Sequence, residues 1–275
     1  MLEIKKIVEA ALAEDIGGGD ITSNLLFKNG RVVSGNIKSK EPFILCGIDI
    51  AREVFNMVNP CVIFRAAKKD GSRVKKGEIL AELTGNADDL MTGERTALNF
   101  IQHLSGIATY TSVFVEAVRG SRAKIVDTRK TTPGLRFLEK YAVRVGGGNN
   151  HRTGLFDGIL IKDNHIAACG TIKEAVTRAV SAAPHTLKIE VEVSSPDQAR
   201  EAIDAGADII MLDNMGLDEM RDAVKIIAGE ALVEASGNIT LKNVSDVAST
   251  GVDIISVGTI THCAPSVDIS MNLTA

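Results

Sequence analysis

The sequence predicts an α/β protein in which an antiparallel first part precedes a barrel related to the (β/α)8 type. Three observations predict it. Beyond Ser121, apolar strand-like runs alternate with helical runs at short spacing, the pattern of parallel βαβ units. Polar residues gather where those runs end. Residues 31–83 instead show short apolar runs separated by Gly and charged pairs, which read as antiparallel strands. A doubly wound open sheet is the competing architecture. No P-loop or G-x-G-x-x-G fingerprint stands at a strand–helix turn, which weakens its nucleotide-binding version.

In chain order, Leu2, Ile4, Ile7, Val8, Ala11 and Leu12 approximate one face of a surface helix that Gly17-Gly18-Gly19 breaks. RVVSGNI, CVIFRAA and GEILAEL supply the antiparallel strands. A long helix is expected from about Asp88 to Arg119, with a bend allowed at Ser105-Gly106. Six strands follow at 124–128, 158–163, 187–193, 208–213, 231–236 and 253–258, with room for another after Pro133. Helical runs lie at 171–183, 195–206, 216–229 and 241–251.

Composition narrows the class. With 275 residues, 45% of them hydrophobic and 24% charged, the chain can bury a sizeable core in one or two domains. No stretch approaches eighteen uninterrupted apolar residues, and MLEIKKIVEAALAED mixes acids and bases where a signal peptide is apolar, so neither a membrane span nor secretion is expected. Cys46, Cys61, Cys169 and Cys263 show no C-x-x-C spacing, and a cytoplasmic location fits them. Thirty-one basic against thirty-five acidic residues, and only 4% aromatics, disfavour nucleic acid as a partner while leaving room for a local basic site.

The strand ends carry Asp127 with Arg129 and Lys130, Lys162 with Asp163, Glu190 and Glu192, Asp213, Ser236-Gly237, and Gly258. In barrels that face holds the active site. By period two, Glu190, Glu192 and Ser194 share one face of their strand and Val191 and Val193 the other. Two carboxylates therefore point into the interior and need a positive partner. Lys162 and Asp213, read as ends of neighbouring strands, are expected to share that interior. For any single pair, such as Lys162 with Glu190 or Asp213, a purely structural ion pair explains the charges as well as function does. Six strand ends of the same kind favour a ligand.

From Asp127 to His165 an acidic protein concentrates Arg129, Lys130, Arg136, Lys140, Arg144, His151, Arg152 and Lys162, a local anion trap. Arg136, Lys140 and Arg144 read as the wet face of a helix. Arginine forks suit carboxylates and phosphates. Ser236-Gly237-Asn238 and Gly258-Thr259 are suited to phosphate contact through backbone N–H groups, and His262 either joins them or caps a helix.

Asp127-Thr-Arg-Lys-Thr-Thr-Pro-Gly134, Gly146-Gly-Gly-Asn-Asn-His-Arg-Thr-Gly-Leu-Phe-Asp157, Ile161-Lys-Asp-Asn-His165, Glu190-Val-Glu192, Met211-Leu-Asp-Asn214, Ser256-Val-Gly-Thr-Ile-Thr-His262 and Gly93-Glu-Arg-Thr-Ala-Leu-Asn99 together resemble the quinolinate phosphoribosyltransferase family over nearly the whole chain. One departure is Asn238, where that family's pattern has a second glycine after Ser236-Gly237. The resemblance implies an incomplete α/β barrel of the type II phosphoribosyltransferase kind, spanning 106–267. It also implies an N-terminal α/β sandwich spanning 1–105, to which 268–275 return. The reaction it implies joins quinolinate and phosphoribosyl pyrophosphate, giving nicotinate mononucleotide, pyrophosphate and CO2 with Mg2+. Carried over residue by residue, Arg95, Arg129, His151, Arg152 and Lys162 would hold quinolinate. Lys130, Ser236, Gly237, Gly258 and His262 would hold phosphate, while Glu192 and Asp213 would face the ribose hydroxyls and Mg2+. Lys130, Lys162, Glu192 and Asp213 would carry the chemistry. Arg95 would enter the site of a partner subunit in a homodimer.

Three other readings compete. One is a related phosphoribosyltransferase-like protein linked to molybdenum transport, whose motifs differ around the histidine–arginine pair. Another is an aldolase forming a Schiff base on Lys162. The third is a non-catalytic anion sensor.

Overall fold

The structure, a computed structural model, describes residues 2–27 and 30–274. The side chain of Leu2, assigned to the first helical face, and Ala275, assigned to the returning segment, lie outside the described residues. The chain divides into two compact units.

The first unit comprises residues 1–110, 132–146 and 263–275. Helix α1 (Leu2–Ile16) buries Val8 and Leu12, half-buries Ile4, Ile7 and Ala11, and ends at the expected glycines. A short helix α2 (Ile21–Leu26) follows, capped by Asp20, whose carboxylate accepts the Ser23 N–H at 3.0 Å. Strands β1 (Val32–Ser39), β3 (Ile63–Ala66) and β5 (Ile79–Asn86) match the expected runs. They form an antiparallel sheet in the order β12-β1-β5-β3, in which β12 (Ile269–Thr274) pairs with β1 from Ser34–Thr274 to Ser39–Ile269. Gly35 permits that pairing, because a Cβ there would lie 2.8 Å from Leu273. A two-strand ribbon joins β2 (Phe43–Ile44) to β4 (Arg73–Val74).

The all-strand reading of residues 31–83 needs one correction: Ile48–Val58 is a helix, α3. It buries Ile48, Ile50, Ala51, Val54 and Phe55, and its first N–H groups are held by Asp70, which accepts Gly47 N at 2.9 Å and Ile48 N at 3.0 Å. The capping group lies more than twenty residues downstream, so no local signal announces it. Helix α4 (Ala87–Ala117) runs uninterrupted through Ser105-Gly106. Gly106 is required by close approach, since a Cβ would meet the Pro265 carbonyl oxygen at 2.2 Å. Helix α5 (Arg136–Val145) also belongs here, and Lys140 on it is buried beside buried Glu139. The wet-face reading of Lys140 is therefore wrong: Leu138, Glu139, Lys140, Ala142 and Val143 are all buried, so α5 is covered on more than one face and position 140, nearly opposite 138 and 142, is enclosed as well.

The second unit comprises residues 111–131 and 147–262. Its six parallel strands are β6 (Lys124–Val126), β7 (Ile159–Ile161), β8 (Ile189–Val193), β9 (Ile209–Asp213), β10 (Leu232–Ser236) and β11 (Ile254–Ser256). They form one sheet in the order β6-β11-β10-β9-β8-β7. Helices α7 (Ile172–Ala182), α8 (Pro196–Asp204), α9 (Leu217–Ile227) and α10 (Val244–Ser249) alternate with them, burying residues such as Val176, Ala199, Met220 and Val247. Thr171 and Ser195 cap α7 and α8 as side-chain acceptors. Among the described residues the sheet does not close: β6 and β7 are its edges, and a lone parallel bridge from Val126 to Asn149 extends it beside β6. The strand expected after Pro133 is thus reduced to that bridge. The order also corrects one adjacency, because β8 lies between β7, which Lys162 follows, and β9, which Asp213 ends.

Candidate active site

At the carboxyl ends of the six strands lies a pocket of about 770 Å³. It is lined by Arg129, Lys130, His151, Arg152, Lys162, Glu192, Asp213, Ser236, Gly237, Gly258 and His262. All the sequence-predicted site residues but one are therefore brought together. Arg95 is the exception: it is exposed on α4 in the first unit and does not line this pocket. The helix around it behaves as its periodicity requires, with Leu90, Ala97, Ile101, Leu104 and Ala108 all buried.

The sheet register explains the convergence. Glu192, Met211 and Glu234 align across β8, β9 and β10, and Asp213 aligns with Ser236 one row on. Because successive side chains alternate, Glu190 and Glu192 point to the same interior while Val191 and Val193 are buried opposite. Glu192 accepts from the Lys162 ammonium, an ion pair neither Glu190 nor Asp213 makes with it. Lys162 directly precedes helix α6 (Asp163–Cys169), whose His165 Nδ1 accepts the Lys162 backbone N–H at 2.9 Å.

Deeper in, His151 faces two carboxylates. Its Nε2 lies 3.1 Å from Glu190 and 3.7 Å from Glu234, and both acids are almost fully buried, 4% and 1% exposed. Burial, then the neighbouring Glu190 charge, pushes the Glu234 carboxyl up to about 8. Its place is readable along the chain: Glu234 stands two residues before Ser236, as Glu190 stands two before Glu192. Arg152 donates to the Gly158 carbonyl at 3.1 Å. Desolvation first, and the nearby Arg129 charge second, lower its affinity for a proton.

The phosphate-type loops are shaped by close approach. Gly237 sits at φ +92°, a conformation strained for any other residue, and a Cβ there would come within 2.2 Å of the Asn214 side-chain amide and displace it. Asn238 occupies a left-handed position at φ +52°, which asparagine tolerates better than most residues, and its amide donates to Asn214 Oδ1 at 2.9 Å. An asparagine thus stands where the resemblance predicts glycine without abandoning glycine's conformation. Gly258 sits under Lys130 and His262, whose atoms a Cβ would meet at 3.2 and 3.3 Å. Thr261 donates to the Lys130 carbonyl at 2.6 Å, tying the two loops together. Such an arrangement of cations, backbone turns and paired acids has the chemistry to hold anionic ligands.

The chain matches two family models, the N-terminal domain of quinolinate phosphoribosyl transferase over residues 20–105 and its C-terminal domain over residues 107–272. It is 50% identical over 273 residues to a Bacillus subtilis protein named probable nicotinate-nucleotide pyrophosphorylase (carboxylating), covering 99% of this chain and 94% of that one. A Mycobacterium leprae nicotinate-nucleotide pyrophosphorylase (carboxylating) is 45% identical over 274 residues, covering 97% and 95%. Among solved structures, NadC from Streptococcus pyogenes superposes with a TM-score of 0.95 at 44% identity, covering 99% and 97% of the two chains.

Proposed function

The chain belongs to the quinolinate phosphoribosyl transferase family, and from that premise we infer that the pocket at the strand ends is where its reaction takes place. The protein transfers the phosphoribosyl group of phosphoribosyl pyrophosphate to quinolinate with decarboxylation, giving nicotinate mononucleotide, pyrophosphate and CO2 in NAD biosynthesis. The observation that carries the placement is the convergence of Arg129, Lys130, Arg152 and Lys162 with Glu192 and Asp213 on one cavity.

Arg129, Arg152 and Lys162, with His151 behind them, hold the quinolinate carboxylates, and Lys130, Ser236, Gly237, Gly258 and His262 hold phosphate oxygens. Glu192 and Asp213 face the ribose. As the bond from the sugar's anomeric carbon to pyrophosphate breaks, positive charge grows on the ring, and these carboxylates stabilise it while the pyridine nitrogen forms the new bond. Loss of CO2 then leaves an electron pair at C2 that the alkylated ring nitrogen accommodates until a proton replaces it. The chain mainly positions both reactants and excludes water.

Glu192 and Asp213 are oxygen donors lining the same cavity as the phosphate loops, a set that fits Mg2+ completed by pyrophosphate oxygens and water. Bound there with the donor, the ion would neutralise charge on the departing pyrophosphate. Exposed Arg95 reaches the cavity of a second copy, making a homodimer the catalytic unit. All four cysteines are free, which supports a reducing, cytoplasmic setting, and among the described residues no helix is long and apolar enough to cross a membrane. Lys162 is held in an ion pair with Glu192 rather than standing apart to attack a carbonyl, which disfavours the aldolase reading. Incubation with both substrates and Mg2+ should release CO2 and pyrophosphate in equal amounts. No release from a folded protein would refute both the placement of the site and the roles of its residues.

A further inference from the structure

His151 lies in a stretch without regular helix or strand, yet its orientation is fixed from three sides. Asp127, fully buried just beyond β6, accepts the His151 backbone N–H at 2.9 Å. The next residue turns back on the ring: the Arg152 backbone N–H donates to His151 Nδ1 at 2.7 Å. A ring nitrogen that accepts a hydrogen bond carries no proton, so the neutral ring holds its proton on Nε2. Nε2 lies 3.1 Å from Glu190 Oε2, the nearest carboxylate oxygen to it, while Glu190 Oε1 is buried without a hydrogen-bond partner. From this geometry we infer that Glu190 is a positioning residue: it selects the Nε2–H tautomer of His151, which leaves Nδ1 to anchor the Arg152 backbone and so aims the Arg152 guanidinium at the acceptor substrate.

The two glutamates of β8 thereby take different roles. Glu192 meets Lys162 at the cavity wall, whereas Glu190 does not line that cavity and acts through the ring in front of it. A metal between His151, Glu190 and Glu234 is the rival use of the same atoms, because one donor atom from each lies within 4.8 Å of the others. The Nε2 proton occupies the lone pair such a metal would need. The inference rests on the reading of Arg152 as a quinolinate contact, so the experiment tests the two separately.

In the full-length protein labelled with ¹⁵N at histidine, ring-nitrogen shifts should show His151 as the Nε2–H tautomer, assigned against a His151→Gln spectrum. A wild-type His151 that is Nδ1–H, doubly protonated, or ligated to added Zn2+ overturns the inference before any variant is made. Glu190→Ala should mix the tautomers and raise the KM for quinolinate roughly tenfold or more, with the KM for phosphoribosyl pyrophosphate within about twofold. Glu190→Gln, which keeps an acceptor oxygen in place, should restore the tautomer and most of that KM. Equal weakening of both substrates, or an unchanged tautomer in Glu190→Ala, defeats the positioning role. If Arg152→Ala leaves the quinolinate KM unchanged, the reading of Arg152 fails and the functional half of the inference falls with it, even where the tautomer result stands.

Discussion

The six-stranded sheet of the second unit has charged residues and a cavity at both of its ends, and the two ends use their charges in opposite ways. Where the strands begin, Asp208 accepts the Ile189 N–H at 2.7 Å and Asp253 accepts the Val233 N–H at 2.9 Å. Arg122 in turn pairs with Asp253 at 3.2 Å and donates to the Gly251 carbonyl. Those charges close on the chain's own backbone. Where the strands end, Lys162 meets Glu192 and His151 meets Glu190 across neighbouring segments, around a cavity lined by further cations. Volume does not distinguish the ends, about 530 Å³ against about 770 Å³. What distinguishes them is whether side chains satisfy strand N–H groups or are arranged against one another around open space, and only the latter suits a ligand.

The sharpest way to break that comparison is to delete one charge from each end. Lys162→Ala should lower turnover by about 10²–10³-fold while the protein melts near the wild-type temperature, because a cation acting on desolvated substrate charge is lost. Asp253→Ala should do the reverse. Stability should fall by about 1–3 kcal/mol as the Val233 N–H loses its partner, while kcat of the folded protein stays near normal. Kinetics and thermal melts on both variants decide it. A melted Lys162→Ala with intact specific activity in its folded fraction would make the strand-end charges structural after all.

Within the mouth, the donor half should separate from the acceptor half. Asp213→Ala, which leaves the Lys162–Glu192 pair untouched, should weaken the Mg2+ complex of phosphoribosyl pyrophosphate by roughly 10–100-fold and leave quinolinate binding near normal. Titration calorimetry with each ligand alone reads this. Loss of quinolinate affinity only would mean that the halves are exchanged. A fourfold effect tests whether the cations of the mouth come from one chain. Mixing inactive Arg95→Ala with inactive Lys162→Ala subunits should return roughly a quarter of wild-type activity, since half the dimers are mixed and each mixed dimer has one intact site. No recovery after verified exchange would remove Arg95 from a partner's cavity.

How far the sequence carries this contrast follows from what each signal encodes. Strand ends and period two are local, so Arg129, Lys130, Lys162, Glu192 and Asp213 are legible as one cluster. Strand order is not local: Lys162 and Asp213 are separated by β8 although their strands look equivalent along the chain. Helix α3 escapes a local reading because its capping carboxylate, Asp70, arrives from a distant turn. Glu234 escapes any reading confined to the last residue of each run, although its spacing from Ser236 repeats that of Glu190 from Glu192.

Glu234 supplies the last prediction, a change in slope rather than in turnover, and it tests the buried floor of the mouth against the other end of the sheet. Its carboxyl is raised from 4.5 to about 8, because burial and the adjacent Glu190 penalise its charged form. Folding therefore favours the protonated group. The stability this contributes is fully present below about pH 4.5, where the unfolded chain is also protonated, and is lost as pH climbs toward 8. Glu234→Gln, neutral at every pH and nearly the same shape, should remove that slope, so the wild-type-minus-variant difference in unfolding free energy should fall between pH 5 and pH 8. Glu190 and His151 share the field that sets it, so the slope spreads over their titration as well. Denaturant melts of the two proteins at four or five pH values measure it. A flat difference would show Glu234 ionised throughout, with water or His151 absorbing its charge as Arg122 absorbs that of Asp253 at the opposite end.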